Sequence, residues 1–102
     1  MYDIIFSRII DSDIDQCYTA ENMFTELYEK INDILKNPYK RPLVQDKYLA
    51  SLGIRAIKVK NYVLYYSITE EKNTVNALRF MHQMRDWINI LKENPLGDIH
   101  DN

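Results

Sequence analysis

The chain has 102 residues, 46% of them hydrophobic, and a formal net charge of −2. A chain of that length buries roughly two thirds of its surface on folding, enough for one core, so a single domain over residues 1–94 is expected, with the acidic end, 95–102, as a frayed tail. Two glycines, one cysteine and no His-x-x-x-His pair leave no material for a glycine-rich phosphate loop, an intramolecular disulfide or a zinc site, so neither metal nor cofactor is expected.

Tyr2–Ser7 reads as a short buried strand, because Ile4, Ile5 and Phe6 form an unbroken apolar run. Asp3 and Arg8 bracket that run too closely for a secretory leader, and no stretch approaches the ~18 apolar residues of a membrane helix, so a cytoplasmic protein is expected. Ser7 stands where it can cap a helix in which Ile10, Ile14 and Cys17 share a face while Asp11, Asp13 and Asp15 turn to water. On that face Cys17 reads as a packed thiol rather than a reactive one. A second helix starting near Thr19 brings Phe24, Leu27, Tyr28, Ile31, Ile34 and Leu35 onto one side. Asn37-Pro38 stops it, since the residue before proline avoids helical geometry.

From Asn37 to Gly53 the sequence has no period apart from one turn of helix over Asp46–Leu52, and so long a loop in a small domain is either functional or misread. Charge is concentrated here. Residues 36–60 hold seven basic side chains against Asp46 alone, a balance of +6, whereas residues 1–35 stand at −6 and residues 61–102 at −2. The chain is thus an electrostatic dipole whose basic middle suits an anionic partner, phosphate backbone or acidic protein, or is simply a solvated loop.

Three strands follow. Ile54–Lys60 sends Ile57 and Val59 to one face and Lys58 and Lys60 to the other. Asn61–Thr69 is rich in Tyr, Val and Ile. After the polar turn at 70–73, Thr74–His82 is apolar on both faces, as a central strand would be. A last helix over Asp86–Lys92 ends before Asn94-Pro95. The order of a strand, two helices, a three-stranded antiparallel meander and a short C-terminal helix predicts an α+β fold with both long helices on one face of the sheet.

Chemistry gathers where the last strand meets the last helix, in Arg79-Phe-Met-His-Gln-Met-Arg-Asp-Trp87. An imidazole suits proton transfer near neutral pH, so His82 could act as general acid or base in RNA cleavage, with Lys58 and Lys60 stabilising the extra charge on phosphorus; it could also be a hydrogen-bonded strand end. Arg85-Asp86 is either a local ion pair and helix cap or part of a site. Trp87 is either a core anchor or a stacking platform. Tyr62 and Tyr66 share one strand face and Tyr65 takes the other, so one of these faces is expected to meet a partner.

Ser51-Leu-Gly-Ile-Arg-Ala-Ile-Lys-Val-Lys-Asn-Tyr-Val-Leu-Tyr-Tyr66, followed by "NTVNALRFMHQMRDWINIL", resembles the RelE/ParE superfamily of bacterial type II toxins over residues 2–92. The family pattern pairs "G-x-R-x-I-x-V-x-x-Y" with a strand end of the form "L-R-x-x-H/Y-x-x-R-D"; "YDIIFS" and the helix ending in "LKNP" also fit. The resemblance implies this α+β fold and a cognate antitoxin that neutralises the toxin by helix docking and strand addition. It also implies one of two targets. RelE-like members are ribosome-dependent mRNA endonucleases, for which Lys58, Lys60, His82 and Arg85 would be the catalytic set. ParE-like members block DNA gyrase by binding, for which Lys40, Arg41, Arg55, Lys58, Lys60, Tyr62, Arg85 and Trp87 would form the partner surface; a member that binds its antitoxin without being toxic is the third alternative. The chain departs from the RelE pattern at Val63, where an arginine is usual, and at Trp87, where a tyrosine is usual. Its Met81-His-Gln-Met-Arg-Asp86 is close to the ParE ending "L-H-Q-R-M-D". Those features favour gyrase.

Overall fold

Alternation in the C-terminal half builds an antiparallel meander, and the apolar run at the N-terminus joins it from the far side. The computed structural model describes residues 2–16 and 23–93. Cys17, the helix start near Thr19, the stop at Asn94-Pro95 and the tail lie outside the described residues. The elements are β1 (Asp3–Phe6), α1 (Ile10–Gln16), α2 (Met23–Lys36), α3 (Lys47–Ser51), β2 (Arg55–Val59), β3 (Tyr62–Thr69), β4 (Thr74–His82) and α4 (Trp87–Glu93). Strands run in the order β1-β4-β3-β2, with β1 parallel to β4 and the other pairs antiparallel. The expected α+β class holds, and none of these helices is long and apolar enough to cross a membrane.

Both faces of the sheet are covered. Ile10 of α1 and Met23, Leu27, Ile31 and Ile34 of α2 pack on one face against Ile57, Val59, Leu64, Tyr66, Val75, Ala77 and Phe80. On the other, Leu49 of α3 and Leu91 of α4 meet Tyr65, Leu78 and Met81. A bulge lets β4 serve both faces. Tyr65 pairs with Arg79 but Tyr66 with Ala77, so Leu78 is an extra residue that resets the alternation.

Three expectations about the N-terminal third need correction, two of them about exposed apolar residues and one about a buried carboxylate. β1 is not buried: it is an edge strand, and Ile5 and Phe6 are 44% and 43% exposed. Tyr28, placed on the apolar side of its helix, is also exposed, because the buried stripe runs through Met23, Leu27, Ile31 and Ile34.

β1 is too short to pair with all of β4: the Ser7 N–H donates to Ala77 O at 2.9 Å, and beyond it side chains take over. Ser7 donates its hydroxyl to Leu78 O at 2.7 Å and accepts the Ile10 N–H at 3.2 Å, so it caps α1 while satisfying the strand. Asp13 does not turn to water. Only 6% exposed, it accepts the Phe80 N–H at 3.0 Å and both Nε and Nη2 of Arg79 at 2.7 and 2.8 Å. Such a two-pronged carboxylate–guanidinium pair fixes orientation as well as distance.

The segment before β2 is held rather than loose. Asp46 caps α3 by accepting the Leu49 N–H at 3.0 Å, and that bond, more than the nearby Lys92 ammonium, lowers its carboxyl pKa. Gly53 leaves the helix at φ +81°, a conformation that favours glycine. Val44 then donates to Ile54 O at 3.0 Å, and the Tyr66 hydroxyl donates to Pro38 O at 3.2 Å.

Burial of two strand tyrosines makes stability depend on alkaline pH. Desolvation raises the Tyr65 phenol from 10.0 to about 12, and raises Tyr66 against a smaller pull from Arg55 and Arg41. A folded pKa above the unfolded one gives stability that is complete below pH 10 and is lost as pH climbs through about 12. Urea midpoints should hold up to pH 9 and fall by pH 11.5, less so in Tyr65→Phe. A decline of equal size in both proteins would contradict this assignment.

Candidate interaction site at the end of the sheet

Register divides the residues singled out by sequence between the two faces. Val59, Tyr62 and His82 stand opposite one another across β2, β3 and β4, on the α2 side. There Tyr62 stacks on Phe80 with ring centroids 5.3 Å apart and meets the His82 ring edge-on, also at 5.3 Å. Lys58 lies in the neighbouring row, opposite Val63, which pairs with Met81, and so belongs to the other face. Its ammonium is exposed.

Lys60 does not share that face as expected. β2 ends at Val59, and Lys60 turns the chain at φ +56° with its Nζ 3.8 Å from Glu26 Oε2 of α2. The structure therefore brings Tyr62 and His82 together and keeps Lys58 on the opposite side of the sheet.

His82 is the last residue of β4, and a tight turn follows it. Gln83 donates its N–H to Asn61 O at 2.8 Å, Arg85 to His82 O at 3.0 Å and Trp87 to Arg85 O at 2.8 Å. Met84 donates its backbone N–H to the Nδ1 of His82 at 3.1 Å. An Nδ1 that accepts leaves the imidazole proton on Nε2. The side chains of Met84 and Arg85 project from this turn, Met84 81% exposed.

Arg85 and Asp86 form no local bridge. The Asp86 carboxylate instead accepts from Asn89 Nδ2 at 2.7 Å in the first turn of α4. Trp87 lies parallel to Tyr65 at 5.3 Å and 15° and is partly buried against the second core cluster, so packing takes one face of its indole.

The basic stretch is partly consumed by structure. Arg41 reaches Asp33 of α2 at 3.1 Å. Arg55 donates to the Arg41 carbonyl and lies over the Tyr39 ring at 5.3 Å, a cation–π contact. Lys40 sits exposed in the turn after α2. With two of the seven basic residues of 36–60 bound to acidic residues of α2, the charge separation read along the chain is smaller in space. Among the described residues, no three His, Cys, Asp or Glu side chains gather as a metal would need.

Sequence reasoning overlooked Met84. The only local signal is a methionine placed after strand alternation has ended at His82 and before helical spacing resumes at Trp87.

A family model described as the ParE toxin of the type II toxin–antitoxin system parDE matches residues 4–87. No curated protein matches the chain in sequence. In fold, the chain is similar to one in the intact E. coli RelBE toxin–antitoxin complex, with a TM-score of 0.65, 17% identity, 83% of this chain covered and 100% of that one. For the isolated E. coli RelE toxin the figures are 0.66, 16%, 91% and 98%. A chain of the Mycobacterium tuberculosis RelBE2 toxin–antitoxin complex gives 0.62, 23%, 80% and 98%. At such identities the likeness is one of fold.

Proposed function

We propose that this chain, which belongs to the ParE toxin family of type II toxin–antitoxin systems, arrests growth by binding DNA gyrase and is neutralised by a cognate antitoxin. The observation that carries the gyrase reading is the scatter of its proton-transfer groups. RNA cleavage would need a base, an acid and a cation around one phosphate. Here Lys58 is on the face opposite His82, Lys60 is engaged by Glu26, and the His82 Nδ1 is taken by a backbone N–H. A surface that works by contact needs no such convergence.

The antitoxin reading has separate support. Two of the similar structures are toxin–antitoxin complexes, and the exposed Lys40, Lys47 and Lys58 offer charge to an acidic segment.

Inducing the protein alone and following labelled thymidine and labelled amino acid over the first minutes tests the target. Thymidine incorporation should fall first. An earlier fall in amino-acid incorporation would replace gyrase by ribosome-bound mRNA, and unchanged growth would leave a member that only binds its antitoxin. Arg85 is exposed, with its side chain outside every ion pair among the described residues. Arg85→Ala should therefore relieve the arrest without changing the unfolding free energy by more than about 0.5 kcal/mol. A folded variant as toxic as the parent would remove Arg85 from the working surface.

A further inference from the structure

Met84 is the most exposed of the large hydrophobic side chains among the described residues, at 81%, and it sits on a hydrogen-bonded turn. Three consecutive backbone N–H groups, those of Gln83, Met84 and Arg85, are hydrogen-bonded, and so is that of Trp87. The strand before the turn is paired on β3, and the residue after it is stacked on Tyr65. A turn whose backbone is already fixed loses little backbone freedom on binding, so the ordering cost is confined to the side chains. The Met84 side chain also stays in contact with water until something covers it.

From this we infer that His82 is a positioning residue: its Nδ1 holds the 83–86 turn so that Met84 and Arg85 stand out as a rigid knob for a protein partner. That partner would offer an apolar recess with a carboxylate at its rim. The inference rests on the toxin reading above and deepens it by naming the contact and the group that sets it.

The charges around the turn favour protein over nucleic acid. Arg85 is offset by Asp86 next to it, and Lys60 on the adjoining hairpin is paired with Glu26. With almost no net positive charge, the turn would release few counterions from a phosphate backbone. Methionine and arginine, by contrast, are enriched at protein–protein contacts, where the thioether adapts its shape and the guanidinium meets carboxylate.

A positioning role for His82 differs from a chemical one in the substitutions it tolerates. Asparagine can accept an N–H two residues on through its own side chain, as His82 does, but it cannot transfer a proton at neutral pH. His82→Asn should therefore keep growth arrest, whereas His82→Ala should weaken it. In the free protein, the Met84 amide should exchange roughly fivefold faster in His82→Ala than in the parent or in His82→Asn. Met84→Leu should remain toxic and Met84→Gln should not.

The overturning results are as specific. If His82→Asn were as inert as His82→Ala with its Met84 amide still protected, the imidazole itself would be the working group. If Met84→Gln arrested growth like the parent, the knob would carry no contact. If the parent's Met84 amide exchanged as fast as that of His82→Ala, the turn would not be held by His82; this amide is read without any partner, so it decides the positioning apart from the target. A parent chain that left growth untouched would overturn the toxin reading and the partner with it.

Discussion

Replacing Asp13 with alanine should destabilise the protein by about 3–5 kcal/mol, the usual cost of removing one member of a buried ion pair. The carboxylate is 6% exposed and the Arg79 side chain 14%, so water can do little to replace the lost partner. Three donors are abandoned at once: Nε and Nη2 of Arg79, and the Phe80 N–H that β1 is too short to reach. Each buried donor left without an acceptor costs about 1–3 kcal/mol, and the charged ones stand at the upper end. Removing the charge as well should restore much of the loss, because two desolvated ions are often replaced by apolar groups at little cost. The order expected from urea unfolding is parent, then Asp13→Leu with Arg79→Met, then Asp13→Ala. A loss below about 1 kcal/mol in Asp13→Ala would mean that water or another group can take over the carboxylate's bonds.

Asp13 also marks the limit of what local pattern conveys. It lies between Asp11 and Asp15 in sequence, but three residues after Ile10 it falls on the side of the apolar stripe, so its residue type, not its spacing, is what suggests water. Its partner Arg79 is 66 residues away, and the two meet only because β1 stops at Phe6 and leaves part of β4 unpaired. The apolar run of β1 was misleading for a related reason, since a parallel strand looks buried in sequence whether it lies inside the sheet or at its edge. Elements fixed by their own residues were legible: the meander, the stop at Asn37-Pro38 and the short helix capped by Asp46. The resemblance to the RelE/ParE superfamily, carried by short motifs on the last three strands, is borne out by the family match. The site was legible as a place, the end of β4, more than as an arrangement. Pairing register sent Lys58 to one face and His82 to the other, and ion pairs with α2 took up Arg41 and Lys60.

Trp87→Ala should cost about 3 kcal/mol, less than loss of a fully enclosed aromatic would. Trp87 is partly buried, so roughly 100 Å² of apolar surface returning to water accounts for about 2.5 kcal/mol, and the parallel stack on Tyr65 at 5.3 Å adds about 0.5–1 kcal/mol. The loss should be felt locally before it is felt globally. α4 is a single short helix joined to the rest through Trp87, Ile88, Ile90 and Leu91, and through the 3.4 Å ion pair of Lys92 with Asp46. Without the first of these anchors, amides of α4 should exchange through local opening while those of β3 and β4 remain protected. Trp87→Phe keeps a ring against Tyr65 and should recover most of the stability. Because the 83–86 turn hangs between β4 and α4, Trp87→Ala should also weaken growth arrest, although Trp87 need not touch the target. Unchanged exchange in α4, together with an unfolding free energy within about 0.5 kcal/mol of the parent, would show that the helix is held without the tryptophan. Any loss of toxicity in that protein would then have to come from direct contact between Trp87 and the partner.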